Sequence, residues 1–461
     1  MRDKRGLGKD ISVGIVKLIN ILLMTSVFAI AWYAFYADLL WVRFFMRGHW
    51  LVIALFAVLY MIIGRMYDAF KISYFRIREM VYSQVISLLL VNLVMYMVEW
   101  LLIRRLPPYL PVLLVFSVQC ALSMIWSYLA KKWYFHSFPA NKTIIVWDSR
   151  TGISDLIQEY NLKRKYKVVA TVPVDECLSD LSVLDDADVV FLSGIHSHDR
   201  NVIAKYCIAN RIRILLIPRI GDLIVAGAKR MHIFHLMMLR VERYKPSLEY
   251  RFMKRLGDIV LSIIGMIILA PVILVTAVLI KAEDGGPVFY TQRRLTRDGK
   301  EFEIIKFRSM RTDAEKDGVA RLSTGENDDR ITKVGRVIRR VRIDEIPQLM
   351  NILVGDMSVV GPRAERPEIA EQYRTELPEF DMRLQVKAGL TGYAQVYGKY
   401  NTTPYDKLLM DLMYIANAGV FEDIRIIFTT VKALFEREST EGVDEGKKNA
   451  MEIDNKADSE D

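Results

Sequence analysis

The hydrophobic residues of this chain are concentrated in long uninterrupted segments. Four such segments lie near residues 11–31, 50–64, 82–103 and 110–130. A helix needs about 20 consecutive apolar residues to cross the hydrocarbon core of a bilayer. The second segment is the shortest and reaches that length by extending into "RMYDAF". The pattern therefore predicts a membrane protein with a bundle of four transmembrane helices within residues 1–135.

Charged residues beside these segments predict the orientation of the bundle. Basic residues precede the first segment and follow the second and the fourth, so that in a four-helix count they share one side: Arg2, Lys4, Arg5, Lys9, Arg65, Lys71, Arg76, Arg78, Lys131 and Lys132. The cytoplasmic loops of membrane proteins carry an excess of lysine and arginine. We therefore predict that this side faces the cytoplasm.

Residues 141–245 change to short apolar runs separated by helical stretches. The runs "KTIIVW", "YKVVATVP", "ADVVFLSG" and "RIRILLIP" have the composition of buried strands. Alternating strands and helices predict a parallel, doubly wound sheet, and thus an α/β Rossmann-like domain. The first strand-to-helix turn contains one glycine, Gly152, and lacks the glycine-rich phosphate fingerprint. The sequence favours a structural or regulatory role for this domain over dinucleotide binding.

A fifth apolar run covers residues 256–281 and has Pro271 near its middle. Proline removes one helix hydrogen bond and clashes with the preceding turn, so it bends a helix. Basic residues flank both ends of the run. Two topologies fit this pattern. The helix either enters the membrane, bends at the proline and returns to the same face, or crosses as a fifth spanning helix.

The charged residues of chemical interest follow this helix. Two β-rich runs flank Asp298-Gly299, which predicts a β-hairpin. Further along, "VRIDEIPQL" places Asp344 and Glu345 side by side after several arginines. Adjacent residues of a helix do not face each other, so two such acids are expected to have different roles.

Pro347 predicts where a helix begins after this acidic pair. Proline is well tolerated in the first turn of a helix, so we expect the helix to start near Asp344, with Asp344 at or near the N-cap. The helix dipole and the charges of Arg339, Arg340 and Arg342 should then lower the pKa of Asp344. A carboxylate of this kind can be a metal ligand, a nucleophile or simply a cap.

The surrounding composition indicates phosphate chemistry. Two adjacent carboxylates suit a Mg²⁺ ion that bridges a diphosphate. Guanidinium groups donate paired N–H bonds to phosphate oxygens, and the same part of the chain is rich in basic residues: Arg308, Arg342, Arg363, Arg366 and Lys399. Gly355, Gly361 and Pro362 predict tight turns that bring the backbone close to an anion. Some of these basic residues would serve only to contact membrane headgroups.

Composition sets further limits. The chain has 461 residues and a net charge of +9, with the basic residues concentrated beside the apolar runs. It lacks the aromatic-basic platform or zinc spacing of a nucleic-acid-binding protein, so no nucleic-acid partner is expected. Cys120, Cys177 and Cys207 lack disulfide or metal spacing. Residues 437–461 are polar and acidic, which predicts a disordered tail.

Four motifs together carry a family resemblance. "KFRSM", "RIDEIPQLMNILVGDMSVVGPR", "KAGLTGYAQVYGK" and "DLMYI" follow a proline-containing apolar helix in this order. This arrangement resembles the bacterial sugar transferase family of monotopic polyprenyl-phosphate sugar-1-phosphate transferases, over about residues 250–436. The resemblance implies a mainly α catalytic domain with a β-hairpin and a re-entrant membrane helix. The preceding residues are similar to long members of the family, which have four transmembrane helices and a cytoplasmic CoA-binding-like Rossmann domain.

The resemblance also implies a reaction. A UDP-sugar, here with glucose or galactose expected, gives its sugar-1-phosphate to undecaprenyl phosphate and releases UMP. The product begins a capsule, exopolysaccharide or O-antigen repeat. UDP-sugars are cytoplasmic, so the acidic pair should lie on the cytoplasmic face of the bacterial inner membrane, which favours the re-entrant helix. Membrane lipid is an expected partner, and a homodimer and contacts with polysaccharide-assembly proteins are left open.

Site residues follow by matching motif positions. The resemblance implies that Asp344 is the nucleophile, which forms a covalent phosphosugar, and that Glu345 helps to hold Mg²⁺. The further residues expected to line the substrate site are Arg308, Arg342, Arg363, Gln395, Lys399 and Asp411. The chain departs from the family pattern where alanine precedes Pro271, at Ala388 in place of proline, and at Lys399 in place of arginine. Lysine keeps the charge but loses the bidentate fork of arginine.

Two other functional classes compete with a transferase. A non-catalytic membrane scaffold of a polysaccharide assembly complex would be expected to have lost the acidic pair or the arginines, which are present. A transporter usually needs polar groups at the membrane midplane. Only Glu99 is acidic within a predicted spanning segment, and it lies near the end of that segment.

Overall fold

The computed structural model describes residues 2–42, 44–150, 152–160, 162–311, 330–398 and 402–434. These residues fall into two compact units, one up to Ile217 and one from Pro218 onward. The predicted disordered tail and Lys399 lie outside the described residues. The unit that contains the α/β sheet ends at Ile217. The predicted Rossmann-like domain extends further, to residue 245. The domain boundaries themselves remain a prediction.

The first unit begins with long apolar helices at all four predicted segments. They are α1 (Arg2–Ala31), α2 (Met46–Met66), α3 (Ile77–Ile103) and α4 (Leu110–Ser137). Each is long and apolar enough to cross a membrane, so the chain is a membrane protein by the length and composition of its helices. That these four helices cross the bilayer together as a bundle remains a prediction.

Hydrogen bonds between buried polar side chains connect these helices. Tyr60 of α2 donates to Asn20 of α1 at 2.8 Å. Asn92 of α3 donates to Gln119 of α4 at 2.7 Å, and a similar bond of 2.6 Å joins Ser123 to Gln84. Polar groups buried among apolar helices must find partners inside the protein, and such bonds fix the register of one helix against the next.

A parallel sheet completes the first unit. Its elements are β1 (Asn141–Trp147), α5 (Ile153–Glu159), β2 (Tyr166–Pro173), α6 (Val174–Ser179), β3 (Val189–Ser193), α7 (Ser197–Ala209) and β4 (Arg213–Leu216). The strand order is β2-β1-β3-β4 and every pair is parallel. The four predicted strands and their parallel arrangement are therefore confirmed.

The second unit contains the remaining elements. They are α8 (Ile220–Ala226), β5 (Lys229–Ile233), β6 (Leu236–Arg240), α9 (Leu248–Asp284), β7 (Phe289–Leu295), β8 (Glu301–Phe307), α10 (Lys333–Arg340), α11 (Gln348–Val354), β9 (Ser358–Val360), α12 (Pro367–Glu376), β10 (Gly389–Thr391), α13 (Tyr393–Val396), α14 (Pro404–Asn417) and α15 (Val420–Leu434). The predicted hairpin is confirmed as β7 paired with β8, with positive φ at both Asp298 and Gly299 in its turn.

Helix α9 contacts the rest of the second unit along both of its halves. In the amino-terminal half, Asp258 accepts hydrogen bonds from the Ser358 hydroxyl and the Val359 amide, at 3.0 and 2.9 Å. In the carboxyl-terminal half, Ile280 packs into a core cluster with Phe307 and Ile338. Pro271 lies between these contacts, inside the helix. The predicted apolar helix is confirmed and is longer than residues 256–281.

Glycines allow the loop after β9 to lie against β10. A Cβ atom at Gly361 would lie 2.3 Å from the Lys387 carbonyl oxygen, and one at Gly389 would lie 2.1 Å from the Gly361 amide nitrogen. No side chain fits at these separations. Gly361 was expected to bring the backbone close to an anion, but in this structure it allows close contact between two backbone segments. This contact fixes the start of the loop that carries Arg363.

Candidate active site

The acidic pair lies in a short 3₁₀ turn, Ile343–Glu345, between α10 and α11. Arg342 begins this turn in the left-handed region, with φ of 53°. Helix α11 starts only at Gln348, with Pro347 as its N-cap. A helix break near Pro347 is thus confirmed, but Asp344 is not the N-cap of the following helix. The turn orients the two carboxyl groups independently of a helix axis.

Glu345 is held by two cations. The Lys306 ammonium donates to Oε1 of Glu345 at 2.9 Å, and a guanidinium nitrogen of Arg363 lies 3.6 Å from the same oxygen. Burial alone would raise the pKa of Glu345, but Lys306, Arg363 and Arg342 outweigh burial and lower it to about 2. Glu345 is therefore an ionised, paired carboxylate at neutral pH.

Asp344 has the opposite environment. Its side chain is buried, with 9% of the residue exposed, and within the described residues it makes no hydrogen bond or ion pair. Burial and the neighbouring charge of Glu345 raise its pKa to about 6, although Lys306, Arg339 and Arg363 act in the other direction. The expectation of a lowered pKa was wrong because burial and the adjacent anion outweigh the arginines. Asp344 is thus a buried carboxylate that forms no ion pair within the described part of the chain.

Asn351 links the turn to the hairpin strand that carries Lys306. Its side-chain amide donates to the Glu303 carbonyl at 2.8 Å, and its oxygen accepts from the Ile305 amide at 2.9 Å. Both of these backbone groups belong to β8. Asn351 therefore holds α11, which follows the acidic pair, against the strand that carries Lys306.

Helix α9 contacts the carboxyl-terminal end of α11. The Arg255 guanidinium donates to the carbonyls of Ile352 and Leu353, at 2.6 and 2.7 Å. These carbonyls have no partner within the last turn of α11, and a cation there is favourable to the helix dipole. The apolar helix thus directly positions the helix that follows the acidic pair.

A small cleft opens beside Glu345. Its polar lining side chains are Arg294, Lys306, Glu345, Gln348, Arg363 and Gln395. Three of the atoms in these side chains are buried without a hydrogen-bond partner in the described residues: Arg294 Nε, Gln348 Nε2 and Gln395 Oε1. Buried polar atoms rarely lack partners, so the cleft has unused donors and an acceptor beside three cations. This is the composition expected of a site for a polyanion with hydroxyl or carbonyl groups.

A buried ion pair holds the loop that carries Arg363. Arg383 donates to the Arg363 carbonyl at 3.0 Å and lies 2.8 Å from Oδ2 of Asp411. Arg383 and Asp411 are 2% and 1% exposed. Burial raises the pKa of Asp411 to about 6, although Arg383 acts against this rise. Asp411 contacts Arg383, which in turn donates to the Arg363 carbonyl, and its role in substrate binding stays a prediction.

The structure brings together some of the predicted site residues and separates others. Glu345, Arg363 and Gln395 line the cleft, whereas Asp344 and Arg342 lie on the same turn without lining it. Arg308 does not line the cleft. It pairs with Asp284 at the end of α9. The prediction for Lys399 falls outside the described residues.

A Mg²⁺ ion at this site would need substrate oxygens as further ligands. Lys306 and Arg363 both approach Oε1 of Glu345, so Oε2 lies outside these two contacts. Among the described residues no group of three or more metal-binding side chains is present. Mg²⁺ is commonly held by one or two carboxylates together with substrate phosphates and water. Glu345 and Asp344 would supply the carboxylates.

Sequence reasoning missed several residues that build the site. Lys306 lies within the quoted motif "KFRSM" but was given no role. Ile304 and Lys306 are two residues apart in a strand and so share one face, and both line the cleft. Arg294, Gln348 and Arg383 were also missed. Among these, Arg383 carries no local signal, because its partners are 20 and 28 residues away in sequence.

Part of this chain is similar to known proteins. Residues 249–437 match the family described as bacterial sugar transferase. An exopolysaccharide production protein of Rhizobium leguminosarum bv. phaseoli is 40% identical over 188 residues, which cover 39% of this chain and 93% of that relative. The chain belongs to the bacterial sugar transferase family.

Two longer relatives match over the same part. A UDP-N-acetylgalactosamine-undecaprenyl-phosphate N-acetylgalactosaminephosphotransferase of Aeromonas hydrophila is 39% identical over 208 residues, which are 44% of this chain. A UDP-glucose:undecaprenyl-phosphate glucose-1-phosphate transferase of Escherichia coli strain K12 is 41% identical over 186 residues, which are 39% of this chain. The matched parts span 49% and 40% of these relatives, so this chain spans half of their length or less.

Proposed function

We propose that this protein transfers a sugar-1-phosphate from a UDP-sugar to undecaprenyl phosphate and releases UMP. The observation that carries the proposal is the contrast within the acidic pair. Glu345 is ionised and paired with Lys306 and Arg363, whereas Asp344 is buried and has no partner among the described residues. A desolvated carboxylate without hydrogen bonds is a stronger nucleophile than a solvated one, which suits covalent catalysis.

The proposed reaction has two displacements at one phosphorus atom. A carboxylate oxygen of Asp344 bonds to the sugar-bearing phosphorus, the bond from that phosphorus to the bridging diphosphate oxygen breaks, and UMP leaves with the electron pair. A phosphate oxygen of undecaprenyl phosphate then bonds to the same phosphorus, and the Asp344 carboxylate leaves. The lipid diphosphate sugar is the product, and Asp344 is regenerated as a carboxylate.

The cations of the cleft suit the charge that this reaction concentrates. Lys306, Arg363 and Arg294 lie at the cleft where diphosphate oxygens would bind, and positioned cations stabilise charge on phosphoryl oxygens in the transition state. Mg²⁺, when bound at the carboxylates, would supply further stabilisation of the same charge. Nε2 of Gln348 and Oε1 of Gln395, which have no hydrogen-bond partner among the described residues, are available to polar groups of the donor.

We propose further that α9 is re-entrant and that the site lies on the cytoplasmic face of the inner membrane. Both halves of α9 contact the same compact unit, through Asp258 on one side of Pro271 and Ile280 on the other. A helix that crossed the bilayer would carry its far end away from a domain on the near face. The re-entrant topology keeps both contacts on one side, where UDP-sugars occur.

UMP release tests the reaction. The purified protein with Mg²⁺, UDP-sugar and undecaprenyl phosphate should release UMP, and screening UDP-glucose, UDP-galactose and UDP-N-acetyl sugars should identify the donor. UDP-glucose or UDP-galactose is expected to be used best. Asp344→Asn should lower the rate by at least about 10³-fold, because a neutral amide is a poor nucleophile. Glu345→Gln should have nearly as large an effect.

A covalent intermediate distinguishes this mechanism from direct transfer. Incubation with UDP-sugar but no lipid acceptor should add the mass of one sugar phosphate to the wild-type chain and none to Asp344→Asn. Glu301→Gln, at an exposed residue of the hairpin, is the matched control and should retain wild-type activity. Full activity of Asp344→Asn would refute the nucleophile assignment, and an absence of UMP release with every donor would instead favour a scaffold.

A further inference from the structure

Ammonium groups from separate elements meet at the loop between α2 and α3. The Lys165 Nζ donates to the Ser73 hydroxyl at 3.1 Å. The Lys131 Nζ donates to the Phe75 carbonyl at 2.5 Å, and the Lys71 Nζ lies 5.9 Å from the centre of the Phe75 ring. The loop thus gathers cations from α4, from the segment before β2 and from the loop itself.

Lys165 is the most enclosed of these cations, with 8% of the residue exposed. Burial, followed by repulsion from Lys9, Arg213 and Lys71, lowers its pKa to about 7. Within the described part of the chain no acidic side chain forms an ion pair with Lys165. Burying a charge is costly unless an opposite charge or hydrogen bonds compensate for it. The chain therefore places further cations around a buried cation. Asp68 pairs with Lys71 at 2.9 Å, but no carboxylate of the described residues pairs with Lys165.

The neighbours of Lys165 within the protein compensate only in part. The Lys165 Nζ faces the ring of Tyr74 and lies 5.3 Å from the centre of the Tyr166 ring. Cation–π contacts and one hydroxyl stabilise an ammonium group but do not offset the repulsion between cations. An ammonium group has three donors, and an anion would accept from them while also neutralising the adjacent charges.

The cluster lies where apolar helices end. Lys131 is in the last turns of α4, and so is Tyr134. Lys9 of α1 lies 5.1 Å from the centre of the Tyr134 ring. Lys165 directly precedes β2, and Arg213 begins β4, at the amino-terminal edge of the parallel sheet. All these residues belong to one compact unit. The site thus joins the ends of two candidate membrane helices to one edge of the sheet.

We propose that these residues, Lys9, Lys71, Lys131, Lys165 and Arg213, bind the phosphate of an anionic phospholipid headgroup; they are called the Lys165 cluster below. Basic groups at the cytoplasmic ends of membrane helices bind such headgroups, and a phosphate diester accepts several charge-assisted hydrogen bonds. A lipid is favoured over soluble phosphate because Lys9 and Lys131 lie on apolar helices. A bound headgroup stabilises the packing of the α/β sheet against the loop between α2 and α3.

The reactivity of the Lys165 amine tests this proposal in the unaltered protein. Full-length protein in nanodiscs of phosphatidylcholine, alone or mixed with phosphatidylglycerol, is treated with an amine-acylating reagent at pH 7.5, and each lysine is followed by mass spectrometry. Only the neutral amine reacts, and a bound phosphate raises the pKa of Lys165. Phosphatidylglycerol should therefore slow its acylation at least about threefold, since one pKa unit changes the neutral fraction by up to tenfold.

Two controls separate a specific site from a general effect of the charged surface. Lys281, an exposed residue near the end of α9 that donates to the Gly285 carbonyl, lies outside the Lys165 cluster and should change less than Lys165. Inorganic phosphate added to phosphatidylcholine nanodiscs should not reproduce the protection. Equal protection by inorganic phosphate would overturn the assignment to a lipid, and equal slowing of Lys281 and Lys165 would overturn the site.

A variant provides an independent measurement. Native mass spectrometry of protein released from mixed nanodiscs should show fewer retained phosphatidylglycerol molecules for Lys165→Met than for the wild type. Lys205→Met, at an exposed position of α7, should retain as many as the wild type. Unchanged lipid retention in Lys165→Met, together with unprotected Lys165 in the wild type, would refute the proposal.

Discussion

Asp344 and Glu345 are adjacent in sequence and have opposite electrostatic environments. Glu345 receives Lys306 and Arg363, which lower its pKa to about 2. Burial and the neighbouring charge of Glu345 raise the pKa of Asp344 to about 6. The two protons therefore leave at well separated pH values, although the apparent constants belong to the coupled pair. At neutral pH both groups are mainly ionised, and among the described residues only Glu345 forms ion pairs.

This environment predicts the acid limb of the activity profile. A raised pKa at Asp344 means that the reactive carboxylate is lost as pH falls through about 6. Lys306→Met removes a cation that lowers the pKa of both acids, so both values rise and activity should be lost at higher pH. We expect the midpoint of the acid limb to move up by about one pH unit, measured by UMP release at constant Mg²⁺.

A matched control separates this effect from a general change in net charge. Lys142→Met removes an exposed lysine that pairs with Asp186 at 2.5 Å, far from the acidic pair in sequence. Its acid limb should coincide with that of the wild type. If the limb of Lys306→Met also coincides with the wild type, neither acid titrates in the step that limits the rate.

At the scale of elements, local patterns predict strands and helices but not how they are joined. The parallel sheet, the hairpin and the apolar helices were all readable from periodicity and turn residues. The position of Asp344 was not, because a prediction from Pro347 assumes that the helix starts at the preceding polar residue. The structure inserts a 3₁₀ turn there, begun by Arg342 with positive φ, and such a conformation has no signal in an arginine side chain.

The buried pair Arg383–Asp411 connects α14 to the loop that carries Arg363, and it predicts a separation of stability from activity. Arg383→Met leaves Asp411 buried and uncompensated, which should cost about 3–5 kcal/mol. The double variant Arg383→Met, Asp411→Leu removes both charges and should recover part of the thermal stability, because Glu365, 3.6 Å from Arg383, still loses a cation. Both variants lose the bond from Arg383 to the Arg363 carbonyl.

Activity should therefore not recover with stability. We expect the double variant to retain less than about one tenth of the wild-type kcat, since small misplacement of a positioning group can cost a large factor in rate. Thermal unfolding and UMP release on the same preparations check this. Recovery of both quantities would mean that the ion pair serves stability alone.

At the scale of the whole molecule, the site is assembled within the second unit. The carboxylates, the cations of the cleft and the supporting helix α9 all follow Pro218, and a relative from Rhizobium leguminosarum bv. phaseoli is covered over 93% of its length by the matched part. The sequence predicts a boundary between residues 245 and 250, just before the apolar helix and the motifs that follow it, and this boundary stays a prediction. It did not indicate that α8 belongs with the catalytic part, because the sequence of a seven-residue helix of mixed polarity does not predict which element it packs against.

Fragments with different starting points test this organisation. Leu223 of α8 is buried in a core cluster with residues of α14, and Tyr244 donates its amide to the Gln385 side chain at 2.8 Å. A fragment that begins at Pro218 keeps these contacts, whereas one that begins at Leu248 loses them. Loss of a buried leucine contact alone costs about 2–5 kcal/mol. Both fragments should release UMP in detergent at low temperature, and the shorter should unfold at a temperature several degrees lower. Equal unfolding temperatures would show that α8 packs without stabilising the catalytic part, and an inactive Pro218 fragment would show that the first unit contributes to the reaction itself.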